Sequence, residues 1–136
     1  MKRMDKEIVL YLLKKIPDQH PFRLSRLLFL LDAACEKKNG KRCTSFGYVV
    51  TPYGFYIDKF PPFLEEIDGI EKIEITDEQG HPVKGFFRLT KKVNIDLPPE
   101  VKNLLDSVIS EYGHLEDEKL QQRVISLPEY QRRIKT

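Results

Sequence analysis

A chain of 136 residues with 40% hydrophobic and 32% charged side chains makes one ordinary domain, residues 1–136, that buries roughly two-thirds of its unfolded surface. This balance excludes a disordered chain, and apolar runs such as Leu27 to Leu31 are too short to span a bilayer. The net charge of +2 is unevenly spread: residues 1–45 carry eleven Lys/Arg against five Asp/Glu (+6), and residues 46–136 twelve against sixteen (−4). That polarity steers charged partners but does not make the whole domain a polyanion binder.

The first helix is expected from about Met4 to Ile16, with Ile8, Leu12 and Ile16 recurring every fourth residue and Pro17 ending it. A second runs from about Phe22 to Lys38. Leu24, Leu27, Leu28, Leu31 and Cys35 keep the helical period, while Phe29 and Leu30 widen the apolar surface to that of a central helix. Asn39-Gly40 gives it a left-handed cap. An extended segment, Ser45 to Thr51, leads into a turn at Pro52-Tyr53-Gly54, and a short helix follows from about Pro61 to Gly69. "IEKIEIT" and "VKGFFRL" flank the turn residues "DEQGHP" and predict a hairpin. A fourth helix starts near Pro98-Pro99 with the stripe Val101, Leu104, Leu105, Val108 and Tyr112. A fifth, capped by Glu116 or Asp117, carries Leu120 and Val124, and Leu127-Pro128 breaks it before a polar basic tail. The expected class is α+β: about five helices with one β-hairpin and an additional short strand, in a winged-helix-like order.

Catalytic and metal chemistry find little support. His20, His81 and His114 are scattered without ligand spacing, so no metal or cofactor is expected. No GxSxG elbow, Walker loop or GxGxxG is present. Cys35 and Cys43 lack a paired CxxC pattern and read as reduced thiols of a cytoplasmic protein. Cys43, beside Lys41 and Arg42, is the one candidate nucleophile, and an enzyme is not expected.

Seven of the fourteen aromatic residues lie between Phe46 and Phe63. A base-stacking platform interleaves aromatics with positive charge, and here Lys59 is the sole basic residue. Phe46, Tyr48, Phe60 and Phe63 fall at core-facing positions. Tyr53, Phe55 and Tyr56 crowd a glycine turn and cannot all point inward, which makes Tyr53, Gly54, Phe55 and Tyr56 the candidate partner-binding residues. A second reading is a winged-helix DNA-binding regulator. Its candidate phosphate contacts are Lys41 and Arg42 in a loop, and Lys84, Arg88, Lys91 and Lys92 on and after the hairpin. Glu65, Glu66 and Asp68 on the third helix oppose the usual docking.

The order of features also resembles a known family. "FRLSRLLFLLDAACEKKNGK" is similar to the "RLQKLLYL" helix that opens the Panacea (SocA-like, phage-associated) domain. "FGYVVTPYGFYIDKFPPFLEEI" resembles the turn and short helix that follow in that family. "LPPEVKNLLDSVISEYGHLEDEKLQQRVISLPEY" resembles its C-terminal portion, a long helix ending in Tyr-Gly-x-Leu and a short helix leading to a Pro-x-(Trp/Tyr) element. Phe55 stands where the family's Tyr-Gly-Pro has proline, Tyr130 stands at its tryptophan position, and the hairpin is long, which marks a divergent relative. The resemblance implies a non-enzymatic antitoxin that neutralises a co-encoded toxin protein, in some members by handing it to a protease. The sequence leaves open the identity of that partner and whether the chain is a monomer or a homodimer.

Overall fold

A computed structural model of the chain describes residues 3–52 and 54–134. Helices α1 (Arg3–Lys15) and α2 (Pro21–Asn39) come first. Two short strands follow, β1 (Tyr48–Thr51) and β2 (Gly54–Ile57), then helix α3 (Phe60–Glu65). The long hairpin is β3 (Ile70–Thr76) and β4 (Pro82–Leu89). Helices α4 (Pro99–Tyr112), α5 (Asp117–Ile125) and α6 (Pro128–Ile134) close the described chain. The architecture is the expected mainly helical α+β fold.

Its finer composition differs from expectation at two places. Among the described residues there are two antiparallel hairpins, β1–β2 and β3–β4, where the sequence suggested one hairpin and a single strand. Gly54 opens β2 with an extended backbone (φ 158°), and from there the chain pairs back on β1. The basic tail is helical as well, and makes a sixth helix. Pro128 begins α6, because a missing N–H costs nothing in a helix's first turn.

α2 is the centre of the molecule. Leu24, Leu27, Leu28, Leu30 and Leu31 are all buried, and the helix packs against α4, α5 and β2. His20 caps its start, with Nδ1 accepting from the Phe22 N–H at 3.1 Å. Gly40 ends it in the left-handed region at φ 79°, donating to the Glu36 carbonyl. Arg23 then fastens the start of α2 to the α4–α5 connection. It donates to Gln19, the carbonyls of Gly113 and Leu115, and the Asp117 carboxylate, the last at 2.7 Å. A two-way main-chain bridge between Gln19 and Phe87, at 3.1 and 2.8 Å, ties the α1–α2 connection to β4. Gly113 packs so closely that a Cβ would stand 2.6 Å from the Ile109 carbonyl oxygen.

The cysteines correct an expectation. Cys35 and Cys43 form a disulfide, with Cα atoms 5.9 Å apart, inside the usual range. Seven intervening residues conceal the proximity, because α2 ends at Gly40 and the chain doubles back along its last turn. With Cys43 bonded, no thiolate is available in this state to act as a nucleophile.

Candidate functional site

The segment from Arg42 to Ile57 is held to the helices by an unusual density of polar contacts. Asp32, only 3% exposed on α2, is the principal anchor. Its Oδ1 accepts from the main-chain N–H groups of Cys43 and Thr44, both at 2.9 Å. Its Oδ2 accepts from the Thr44 hydroxyl at 2.5 Å and the Tyr48 hydroxyl at 2.6 Å. Burial raises the Asp32 carboxyl above its usual range, and the hydrogen bonds from Thr44 and Tyr48 pull the other way. Burial, with the nearby Asp32 charge, also pushes the Tyr48 hydroxyl well above its ordinary value.

A second buried carboxylate, Asp5 on α1, accepts from the Ser45 N–H at 3.0 Å and from the Ser45 hydroxyl. Arg42 donates to the Phe46 carbonyl at 2.8 Å and lies over the Tyr48 ring. Two carboxylates, an arginine and a disulfide therefore fix the entry to the first hairpin. The sequence reading missed both aspartates, since an acidic residue on a helix is by default solvated. The signal that was available is Asp32 within an otherwise apolar run of α2.

The hairpin has two unlike faces. Tyr48, Val50, Phe55 and Ile57 point inward, and Val49, Thr51 and Tyr56 point outward. Inside, Phe29 of α2 meets Tyr48, Phe55 and Tyr130, with ring centroids 5.1, 5.1 and 5.6 Å away in edge-on or tilted geometry. The fully buried Tyr130 of α6 donates its hydroxyl to the Thr51 carbonyl at 2.8 Å. Phe46 packs edge-on against Phe60 and Phe63, so the expected core positions at both ends of the aromatic segment are indeed inward. Outside, Val49 and Tyr56 form a cross-strand pair, 38% and 50% exposed.

The four candidate partner-binding residues thus separate. Tyr56 faces solvent, Phe55 belongs to the aromatic cluster, and Gly54 opens β2, where a Cβ would lie 3.7 Å from Gln121 Nε2 of α5. Tyr53 lies outside the described residues. Three of the candidate phosphate contacts are engaged within the chain. Arg42 is engaged with the hairpin, Arg88 makes a two-pronged ion pair with Asp18 (2.6 and 3.0 Å), and Lys91 pairs with Asp68 at 2.8 Å. Lys41 and Lys92 are exposed, and the side chain of Lys84 lies outside the described residues. Arg23 and Arg26 of "RLSRLL" both turn onto the α5 region, Arg26 reaching Gln121 at 2.7 Å.

A groove of about 680 Å³ lies between α2, α4 and α6, lined by Ala33, Lys37, Leu104, Tyr112, Leu127 and Arg132 among others. No group of three or more His, Cys, Asp or Glu suited to a metal ion occurs among the described residues, and no described helix is long and apolar enough to cross a membrane.

Central α2, the disulfide-pinned hairpin and the C-terminal helices that back it are the parts on which the family resemblance rests. The chain belongs to the antitoxin SocA-like, Panacea domain family, whose model matches residues 24–128. That range runs from α2 to the first residue of α6 and takes in both hairpins. No curated protein and no solved structure matches the chain.

Proposed function

We propose that this protein is a non-enzymatic antitoxin that binds and neutralises a co-encoded toxin protein, using the outer face of the β1–β2 hairpin. Membership of an antitoxin-like family supports the role. The observation that carries the surface is the exposed Val49–Tyr56 pair, displayed on a hairpin whose opposite face is built into the core. An exposed tyrosine on a strand pair backed by the core is the kind of side chain that anchors an interface hot spot, with Val49 beside it as surrounding contact. Gly54 at the start of β2 borders this face, and Phe55 supports it from beneath by packing on Phe29 and Tyr130.

The test is co-expression with the product of the adjacent gene, reading both growth rescue and co-purification. Tyr56→Ala combined with Val49→Ser is expected to abolish capture while leaving the thermal melt unchanged. Phe55→Ala is expected to lower the melt. Full neutralisation by the Val49/Tyr56 double variant would rule this face out.

A further inference from the structure

The outer edge of the second hairpin is open and self-complementary. The main chain of Phe87 bonds to Gln19 on the far side of β4, so Lys72 and Phe87 form a non-hydrogen-bonded pair across the hairpin. Alternation makes Glu74–Gly85 another such pair, and the N–H and C=O groups of Lys72 and Glu74 therefore point away from β4. Among the described residues, no main-chain hydrogen bond outside the helices and hairpins ends on Lys72, Glu74 or Thr76. The strand also presents Ile75, 45% exposed, beside half-buried Ile73 and Phe86 on one face.

We propose that β3 pairs antiparallel with the β3 of a second copy of this chain, about a two-fold axis through Ile73, making a continuous four-stranded sheet. Ile73 is the midpoint of the seven-residue strand Ile70–Thr76; the Ile70 N–H already donates to the Ile67 carbonyl, so this register pairs Glu71 to Ile75 along the open part of the edge. It sets Lys72 opposite Glu74 of the second copy, and Glu74 opposite that copy's Lys72. Both pairs fall at hydrogen-bonded positions, where the outward main-chain groups meet. Ile73 faces its own equivalent at the close, non-hydrogen-bonded spacing, and the two Ile75 side chains extend that contact diagonally into an apolar stripe. The competing registers are worse. Centring on Lys72 or Glu74 sets like charges face to face, and centring on Ile75 leaves only Glu74–Thr76 overlapped. Within one chain Lys72 and Glu74 already approach to 3.5 Å with side chains 47% and 46% exposed, so both are free to turn to the neighbouring strand. This surface is separate from the Val49–Tyr56 face and does not depend on the antitoxin reading.

Sedimentation or light scattering of four proteins tests the pairing. The wild type is expected to be dimeric. Lys72→Glu and Glu74→Lys each replace two attractive pairs by two repulsive ones, and each weakens the dimer by about thirtyfold or more. An equimolar mixture of the two variants restores association as a heterodimer, and the doubly exchanged Lys72→Glu/Glu74→Lys chain dimerises with itself. Circular dichroism confirms that each variant is folded. A wild type that is monomeric up to about 1 mM, single variants that dimerise as well as the wild type, or a mixture that does not associate would each overturn the proposal.

Discussion

Removing the Asp32 carboxylate tests whether the first hairpin is held by that one side chain. In Asp32→Ala the hydroxyls of Thr44 and Tyr48 can rotate to other acceptors, but the N–H groups of Cys43 and Thr44 cannot. Two main-chain donors left unpaired in a poorly solvated corner, at about 1–2 kcal/mol each, give a loss of about 3 kcal/mol. Asp32→Asn behaves differently. Both N–H bonds end on Oδ1, which the amide oxygen replaces, while the amide nitrogen takes the place of Oδ2 and donates to the reoriented hydroxyls. Its expected cost is about 1 kcal/mol.

The two variants also differ from the wild type in pH dependence. Burial raises the folded Asp32 carboxyl above the ordinary 3.8, so between that value and the raised one the native state binds more protons than the unfolded chain. Wild-type stability contributed by this group is therefore full below 3.8 and falls as pH rises through the folded pKa. Neither variant has that limb, and the deficit of Asp32→Asn is largest at the acid end. Urea unfolding between pH 3.5 and 7 (roughly the span over which a raised carboxyl titrates) measures all of this. An alanine cost below about 1 kcal/mol, or an alanine no worse than asparagine, would refute the anchoring argument.

Reducing the Cys35–Cys43 bond releases a loop of sequence separation 8, for which the chain-entropy account gives about 2.5 kcal/mol. Because Asp32 holds Cys43 in the folded state whether or not the bond is intact, the measured loss on adding reductant is expected to approach this value in the wild type, and to be smaller in Asp32→Ala, whose folded loop itself gains freedom on reduction. Arg23→Lys is expected to cost about 2 kcal/mol in denaturant unfolding, since a single ammonium cannot reproduce the guanidinium's contacts to Gln19, Gly113, Leu115 and Asp117. The Asp117 carboxyl is lowered by its hydrogen bond from Arg23, so this pair stabilises above pH 3.8 and is lost as pH falls through the depressed value; a carboxyl NMR titration reads it directly, and Arg23→Lys moves it back up. Gly113→Ala forces a Cβ against the Ile109 carbonyl and is expected to destabilise by about 1–3 kcal/mol, visible as a lower melting temperature.

Much of the helical framework was legible in the sequence because apolar periodicity and breakers agree there. The stripe from Ile8 to Ile16, the broad apolar surface of α2 and the run from Val101 to Tyr112 give helices close to their observed limits. β2 was not legible: Gly54-Phe55-Tyr56-Ile57 is only four residues and begins on the glycine of the Pro-Tyr-Gly motif that reads as a turn, and its pairing depends on the α2 and α6 side chains that support Phe55. α6 was obscured because Pro128 reads equally as a stop and as a first helical residue. The candidate site was legible as a segment and not as a surface. Which of Phe55 and Tyr56 points outward depends on strand register, and that follows from the Val49–Tyr56 and Val50–Phe55 pairings. The anchors Asp5 and Asp32 and the disulfide join residues that sequence spacing does not associate.

The double anchoring of the segment before β1 has a mechanical consequence. Asp5 belongs to α1 and Asp32 to α2, and they grip adjacent residues, Ser45 and Thr44. The hairpin root therefore straddles both helices, tied to each by a buried carboxylate. A protein that docks on such a surface gives up little conformational freedom in doing so, and its affinity is set by the fit of the two faces. Such an encounter should show rate constants for association that do not change when the hairpin is further cross-linked to α2.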